Sequence, residues 1–175
     1  GFATIYNFIR RREQGKMRRK DREMENLEDI FSVAEKCQVV HVAMTDGEKP
    51  YVVALNFGFD RLEDGLILYL HSASEGRKMD ILKKNPNVYF QMDCDSEFVK
   101  GTPENSCSYS WNFASIMGSG QVEFLEGEGE KKYALNRILQ HLDKTEKSFD
   151  FMPQILSKTC VYRIVSRDVT GKRHG

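Results

Sequence analysis

The 175-residue chain is long enough for one domain to bury a core without disulfides. Its 26 Lys and Arg residues balance 26 Asp and Glu residues, so no net charge draws it to nucleic acid or to a lipid surface. No segment has the length of a membrane span, and the four cysteines lack both a Cys-x-x-Cys pair and zinc-finger spacing. We therefore expect a cytoplasmic protein that binds no metal, nucleic acid or membrane.

The first part of the chain differs from the rest. A short apolar patch is followed by a basic run that reaches Arg22, and Met17 stands where a start codon would fit. We interpret residues 1–16 as a leader or as an extension from a tag or gene model, and residues 17–175 as a single domain. The basic run lacks interleaved aromatic residues, so a solvated arm is favoured over a nucleic-acid contact.

A helix is the first predicted element. Apolar residues recur at helical spacing from Met24 to Ala34, and Asp21 is the expected N-cap. Three β-rich runs follow at 38–45, 51–59 and 66–71. Asp-Gly pairs between these runs supply turn chemistry, which predicts an antiparallel meander.

The remaining segments do not alternate as β-α-β units. Helical spacing resumes after Ser72 and ends before Asn85-Pro86. The other predicted elements are a strand at 87–94, a loop at 95–105, a long or bent strand at 107–125 with Gly118 and Gly120 at the bend, a helix at 128–142, a strand at 159–165 and a tail from Thr170. Five or six strands with a few peripheral helices predict a mainly β fold, a small antiparallel barrel.

The turn after the third β run has the clearest chemical signature. A strand ends at His71, small and hydroxyl residues follow, and a helix begins with Arg77 and Lys78 in its first turn. Helix starts favour acidic residues, so two cations there are unfavourable unless an anion binds. Backbone amides, the hydroxyls of Ser72 and Ser74 and both cations would then converge on a phosphate. The spacing is equally consistent with two cations that point into water.

Two aromatic side chains have open interpretations. His71 is either a hydrogen-bonded core residue or a ligand or acid beside the predicted phosphate turn. Trp111 lies in a run dense in aromatic and hydroxyl residues, which is typical of core packing. The same run could present Trp111 and Ser110 to a flat ring system.

Several motifs, in order along the chain, resemble the flavin-binding split-barrel superfamily related to pyridoxamine 5'-phosphate oxidase, and more closely its 5-nitroimidazole-resistance (Nim) branch. The matching segments run from residue 17 to the C-terminal part of the sequence. They are MRRKDREM (17–24), PYVVALNF (50–57), YLHSASEGRKMD (69–80), NPNV (85–88), CSYSWNFASIMGSG (107–120) and TGK (170–172).

The resemblance implies a Greek-key-like split barrel that forms a homodimer with flavin mononucleotide (FMN) at the subunit interface. Ser72, Arg77 and Lys78 would hold the phosphate, and His71 would lie near the reactive site. The flavin ring and ribityl chain would contact Val53, Ala54, Leu55 and Asn56, and the partner subunit would contribute Ser110, Trp111 and Ser115.

The resemblance also implies a flavin-dependent reductase acting on a small molecule, with a nitro-group compound as the Nim-type substrate. Two departures bear on the substrate. The chain lacks the Arg-rich C-terminal motif of pyridoxamine phosphate oxidases, and it has Ala114 where Nim relatives often have Arg. Two alternatives stay open: a non-catalytic flavin or haem binder with His71 as axial ligand, and an interaction module without a cofactor.

Overall fold

Seven antiparallel strands form the frame of the protein, which a computed structural model describes from residue 19 to residue 175. Their spatial order is β2-β1-β5-β6-β7-β4-β3. Their bounds are β1 Val39–Asp46, β2 Lys49–Asn56, β3 Gly58–Leu62, β4 Gly65–Ala73, β5 Asn87–Val99, β6 Ser110–Phe124 and β7 Thr159–His174. The predicted mainly β, antiparallel architecture is confirmed, and the predicted leader, residues 1–16, lies outside the described residues.

Strand β7 joins the two parts of the sheet. Residues 159–166 pair with β4, and residues 162–174 pair with β6 along the opposite edge. The tail predicted from Thr170 is therefore wrong, because this stretch gains its hydrogen bonds from a strand about fifty residues earlier in the chain. A register shift between Ser119 and Gln121 matches the bend predicted at the glycine pair.

Within residues 19–175, four α-helices flank the sheet: α1 Leu27–Lys36, α2 Arg77–Lys84, α3 Glu128–Asp143 and α4 Pro153–Lys158. The N-cap of helix α1 is Asn26, whose side chain accepts a hydrogen bond from the Asp29 amide at 2.9 Å. The predicted cap, Asp21, is wrong because the Met24 amide donates to the Gly171 carbonyl at 2.9 Å and draws this stretch alongside β7. None of the described helices is long and apolar enough to cross a bilayer.

Two further predicted boundaries are wrong. The run at 51–59 divides into β2 and β3, which lie at opposite edges of the sheet, because the fully buried Phe57 between them turns into the core. The three β runs therefore form no meander. The loop predicted to start at Asp95 begins later, because β5 continues to Val99 past a bulge at Asp95, which has a φ of 56°.

The sheet has a buried face and an exposed face. Val40, Val42 and Met44 of β1 point into the main core, which α1 covers. The opposite surface, here called the outer sheet face, carries residues that are paired in register across β2, β1, β5 and β6 and remain partly or fully exposed. Its apolar members are Val39, Ala43, Val52, Ala54, Tyr89 and Met117.

Helix α3 is fixed to β3 and β4 by a group of polar side chains, here called the Asp60 cluster. The Asp60 carboxylate accepts hydrogen bonds from Tyr69 at 2.9 Å and Tyr133 at 2.7 Å, and lies 2.8 Å from Nε of Arg137. Gly58 allows the close approach, since a Cβ there would lie 2.4 Å from the carbonyl carbon of Arg137. The cluster thus holds α3 against the sheet.

Candidate functional site

The predicted phosphate turn lies between β4 and α2. Helix α2 follows Gly76, whose φ of 117° favours glycine and which provides no side-chain cap. The amides of Arg77 and Lys78 precede the first hydrogen bonds of the helix, which begin with the Met79 amide donating to the Gly76 carbonyl. The turn therefore presents free N–H groups at the positive end of the helix dipole.

Lys78 carries a charge that the rest of the described chain does not balance. Its side chain is half-buried, and it forms no ion pair within residues 19–175. Burial lowers the pKa of Lys78 from its ordinary value, an effect that Cys160 only partly opposes. Because a cation that loses water without gaining a counter-ion is unfavourable, this position is suited to an anion supplied from outside the chain.

Ser72 and Tyr162 form the floor beneath this turn. The Ser72 hydroxyl lies 3.0 Å from the Ala73 carbonyl oxygen and 3.2 Å from the Met79 sulfur. The Tyr162 hydroxyl is fully buried, approaches Ser72, and has no hydrogen-bond partner of good geometry in the described part of the chain. Burial raises the pKa of Tyr162, so the group stays a neutral donor. A buried donor of this kind indicates a site that is completed by another group.

Arg77 is engaged by the β1–β2 hairpin. Its guanidinium lies 3.3 Å from the Asp46 carboxylate, and its central carbon lies 4.5 Å from the centre of the Tyr51 ring. More than half of the Arg77 side chain stays exposed. An exposed ion pair of this kind contributes little to stability, so it can exchange for another anion. The contact also ties the hairpin to the start of α2.

His71 lies two residues before the end of β4, on the strand that leads into the phosphate turn. The residue is exposed, opposite Val161 of β7. Its surroundings nevertheless lower the pKa of His71, first through partial loss of hydration and second through the nearby Lys78 charge. The imidazole is therefore mainly neutral at neutral pH, which allows it to accept or donate a hydrogen bond.

The four predicted residues of β2 point in two directions. Val53 and Leu55 are half-buried against the core, whereas Ala54 and Asn56 face outward. The Asn56 amide donates to the Gln38 carbonyl at 2.9 Å. Because β2 is an edge strand that pairs only with β1 among the described strands, its backbone groups on the other edge remain available to a ligand.

The predicted residues of β6 lie elsewhere. Trp111 is 51% exposed and lies beside Phe98, with ring centres 6.2 Å apart, so it is not a core residue. Ser110 contacts Nε2 of His174 at 2.9 Å, and Ser115 pairs in register with Asp93. Three strand spacings separate β6 from β2, or about 14 Å.

The structure thus brings the predicted residues into two groups. His71, Ser72, Arg77 and Lys78 gather at the phosphate turn, which the Arg77 contacts join to the β1–β2 hairpin. No hydrogen bond or ring contact described for residues 19–175 connects Ser110, Trp111 or Ser115 with that turn. In the same residues, no three His, Cys, Asp or Glu side chains are grouped to hold a metal ion.

Sequence reasoning missed three side chains at this turn: Asp46, Tyr51 and Tyr162. The first two reach Arg77 from the neighbouring hairpin, and the third comes from β7, almost ninety residues further along the chain. Tyr51 was part of a motif noted above, but no local pattern indicated that its ring would lie under a guanidinium. These contacts depend on the tertiary pairing alone.

Comparison with known proteins bears on the family and the fold of this chain. A family model described as pyridoxamine 5'-phosphate oxidase matches residues 26–173. A comparison with curated proteins found no match.

Solved structures share the fold. A Bacteroides thetaiotaomicron protein to which 5-nitroimidazole antibiotic resistance is provisionally ascribed has 34% sequence identity and a TM-score of 0.74, with 86% of each chain covered. The flavocytochrome Anf3 from Azotobacter vinelandii has 18% identity and a TM-score of 0.75 over 93% of this chain and 74% of its own. An FAD- and haem-binding protein from Mycobacterium smegmatis has 15% identity and a TM-score of 0.72 over 87% and 73%. The chain described here belongs to the pyridoxamine 5'-phosphate oxidase family and has its split-barrel fold.

Proposed function

We propose that this protein is an FMN-dependent reductase that acts as a homodimer, with the flavin phosphate bound at the start of α2. The observation that carries the proposal is the half-buried Lys78, which has no counter-ion among residues 19–175 and stands at a helix start without a side-chain cap. A dianionic phosphate would supply the missing negative charge, and its oxygens would accept hydrogen bonds from the free N–H groups.

The residues present fit such a group. Lys78 and the amides of Arg77 and Lys78 supply positive charge, and the Ser72 hydroxyl lies next to them. The unsatisfied Tyr162 hydroxyl below Ser72 would gain a partner when Ser72 reorients toward a phosphate oxygen. Arg77 would exchange its weak contact with Asp46 for the stronger one with a phosphate.

The hairpin next to the turn supports a flat ring on the same ligand. Arg77 touches Tyr51 of β2, so a molecule bound at α2 can extend along that edge strand. Ala54 and Asn56 would contact the ring or its chain with their side chains. Val53 and Leu55, whose side chains face the core, would contribute through their backbone groups.

The outer sheet face supports the homodimer. Ala54, Trp111 and Ser115 all lie on this face, although β1 and β5 stand between their strands. Val52 and Tyr89 on the same face are 55% and 47% exposed, which is unusual for paired strands in an isolated subunit. A second copy docked here would cover these side chains and would bring its own Trp111 and Ser115 toward the β2 edge.

The flavin would supply hydride or single-electron transfer, and the protein would bind, orient and exclude water. His71 stands beside the turn with a lowered pKa, so it can pass a proton to a reduced substrate and recover it from solvent. A nitro-group compound is the proposed substrate, because the Bacteroides protein with 34% identity is linked to 5-nitroimidazole resistance.

Titration with FMN and riboflavin, followed by flavin fluorescence, tests the binding site. Wild-type protein should bind FMN more tightly than riboflavin, which lacks the phosphate. Lys78→Met should weaken FMN binding by about 10- to 100-fold, as expected for a charge-assisted hydrogen bond, and should leave riboflavin binding unchanged. Lys84→Met, an exposed lysine on the same helix, is the matched control. Equal affinity of the wild type for both flavins would contradict the site.

Anaerobic reduction tests the activity. The reduced flavoprotein is mixed with a nitroimidazole, and flavin absorbance is followed. Reoxidation of the flavin with loss of the nitro chromophore supports the proposed reaction, and His71→Gln should slow it without weakening FMN binding. A flavin that stays reduced contradicts nitro reduction while leaving the FMN site intact.

The competing function is haem binding without catalysis, with His71 as axial ligand, and its specific support is the exposed imidazole with a lowered pKa. The absorbance of the purified protein distinguishes the two, since haem gives a Soret band and flavin a yellow spectrum. A Soret band that disappears in His71→Gln would favour the haem function.

A further inference from the structure

Two cysteines lie side by side where α1 passes into the sheet. Cys37 follows the last residue of α1, and its amide donates to the Val33 carbonyl at 3.1 Å. Strand β1 begins two residues later and pairs with β5, with His41 opposite Gln91. Counted outward from that pair, Cys37 lies four residues before His41, just ahead of β1, and Cys94 lies three residues after Gln91 in β5.

Two adjacent contacts fix this position. Lys36 Nζ lies 2.6 Å from a carboxylate oxygen of Asp95, and the thiols of Cys37 and Cys94 are close enough for each to shift the pKa of the other. Asp95 is the positive-φ residue of the β5 bulge, and its carboxylate contacts Lys36, the last residue of α1.

A cavity of about 290 Å³ gives solvent access to the pair. Its lining is Lys36, Cys37, Gln38, Val39, His41, Asp93 and Cys94. Cys37 is buried, whereas Cys94 is partly exposed. A small oxidant can therefore reach Cys94 first, with Cys37 behind it. The described residues here form no metal-binding group, and the two thiols share the cavity with Lys36, His41 and Asp93.

We propose that Cys37 and Cys94 form a site of reversible oxidation, in which hydrogen peroxide or a comparable two-electron oxidant converts the thiol pair into a disulfide. The Cys94 thiolate attacks one peroxide oxygen, so an S–O bond forms, the O–O bond breaks and hydroxide leaves. The Cys37 sulfur then attacks the Cys94 sulfenic acid, so an S–S bond forms and the S–O bond breaks. The two thiols lose two electrons and two protons, and the peroxide becomes two waters.

The surroundings set the rate of this reaction. Burial raises the pKa of Cys37 to about 12. Burial and the neighbouring Asp95 charge also raise the pKa of Cys94, an effect that Cys37 and Lys36 partly oppose. The reacting thiolate is thus scarce at neutral pH, and oxidation should accelerate as the pH rises. Once Cys94 is a sulfenic acid, the adjacent Cys37 should convert it into a disulfide before further oxidation occurs.

Peptide mapping after peroxide treatment tests the site. The protein is treated with hydrogen peroxide, alkylated, digested without reductant and analysed by mass spectrometry. The expected product is a cross-linked peptide containing Cys37 and Cys94, two hydrogens lighter than the reduced pair, which dithiothreitol converts back. It should form faster at pH 9 than at pH 7.

Variants identify the partners. Cys94→Ser should abolish the cross-link, whereas Cys107→Ser, at an exposed position, and Cys160→Ser should leave it intact. Sulfinic or sulfonic acid at Cys94 with no cross-link in the wild type overturns the proposal, as does a cross-link confined to Cys107 or Cys160. The wild-type map decides the matter even if Cys94→Ser fails to fold, and the result does not depend on FMN binding. Because Val39 lines this cavity and belongs to the outer sheet face, docking of a second copy there would narrow the access of the oxidant.

Discussion

The Asp60 cluster and the start of α2 both place charged side chains in partly buried positions, but only the Asp60 cluster pairs its charges within the described residues. Asp60 has two hydroxyl donors and an ion pair, and each partner comes from an element that packs there. Lys78 has no such partner among the described residues. A satisfied polar cluster holds a fold together, whereas an unsatisfied one marks a position where the chain gives up stability for a ligand.

This contrast predicts opposite effects of substitution. Loss of a charge from the complete cluster should weaken folding and leave ligand binding unaffected. Loss of the charge at α2 should weaken ligand binding and leave folding unaffected.

The largest effect is expected at Asp60. Asp60→Asn removes the negative charge opposite Arg137 and should lower the free energy of unfolding by about 2 kcal/mol, a value below that for fully buried pairs because both side chains retain some exposure. Urea denaturation measures the change. Glu123→Gln, which removes an exposed ion pair with Arg163, should cost less than about 1 kcal/mol. An equal loss of stability in the two variants would contradict the structural role of the Asp60 cluster.

Acidification should lower the free energy of unfolding through His141, which lies on α3, the helix that the Asp60 cluster holds. Nε2 of His141 donates to the Cys37 carbonyl at 2.7 Å, and its ring lies against Phe57. Burial lowers the pKa of His141 below its ordinary value of 6.5, although the Cys37 carbonyl opposes this, so folding favours the neutral ring. Its contribution to stability is complete above about pH 6.5 and is lost as the pH falls through the lowered pKa.

Urea denaturation between pH 7.5 and 5 checks this expectation. The wild type should lose stability on acidification, and His141→Gln should show a flatter profile. His71→Gln serves as a second variant, because the pKa of His71 is lowered as well and its part must be subtracted. A wild-type profile that remains flat over this range would contradict the expected role of His141.

Substitution of Lys78 should not destabilise the fold, in contrast to substitution of Asp60. Lys78→Met removes a half-buried charge that lacks a partner in residues 19–175, so the free energy of unfolding without ligand should stay equal or rise, by no more than about 1 kcal/mol. The same urea assay measures it. A clear loss of stability would show that Lys78 supports the fold rather than a ligand.

The smallest effect is expected at Asp46. Asp46→Asn frees Arg77 from its exposed ion pair and removes a negative charge near the proposed phosphate position. FMN affinity should rise by about two- to fivefold at low salt, and the gain should shrink as salt screens the charges. Weaker FMN binding in this variant would instead show that Asp46 positions Arg77 for the ligand.

Local sequence patterns correctly predicted the features that depend on interactions between neighbouring residues. The strand, turn and helix around Lys78 are correctly ordered in the sequence reading, because a helix start and its dipole depend on neighbouring residues. The antiparallel β class follows likewise from short β-rich runs separated by turn residues. Predicted site residues at the α2 turn therefore lie together in the structure.

Long-range pairing explains what the sequence did not show. Residues beyond Thr170 form a strand only because β6 stands beside them, and Asp21 fails as a cap because Gly171 draws the Met24 amide away. The partners of Arg77 come from the β1–β2 hairpin for the same reason. In the proposed homodimer, the relation of Trp111 to the α2 turn would depend on a second subunit, which one sequence cannot specify.

The position of β7 along the chain also bears on how the protein folds during its synthesis. Without residues 159–174, the sheet order leaves a four-stranded part, β2-β1-β5-β6, with no strand pairing to the β4-β3 hairpin. A ribosome must therefore release nearly all of this sequence before the two parts can join, and the nascent chain carries unpaired strand edges until then. Chaperone dependence during synthesis is the expected consequence of a joining strand that follows the other six along the chain.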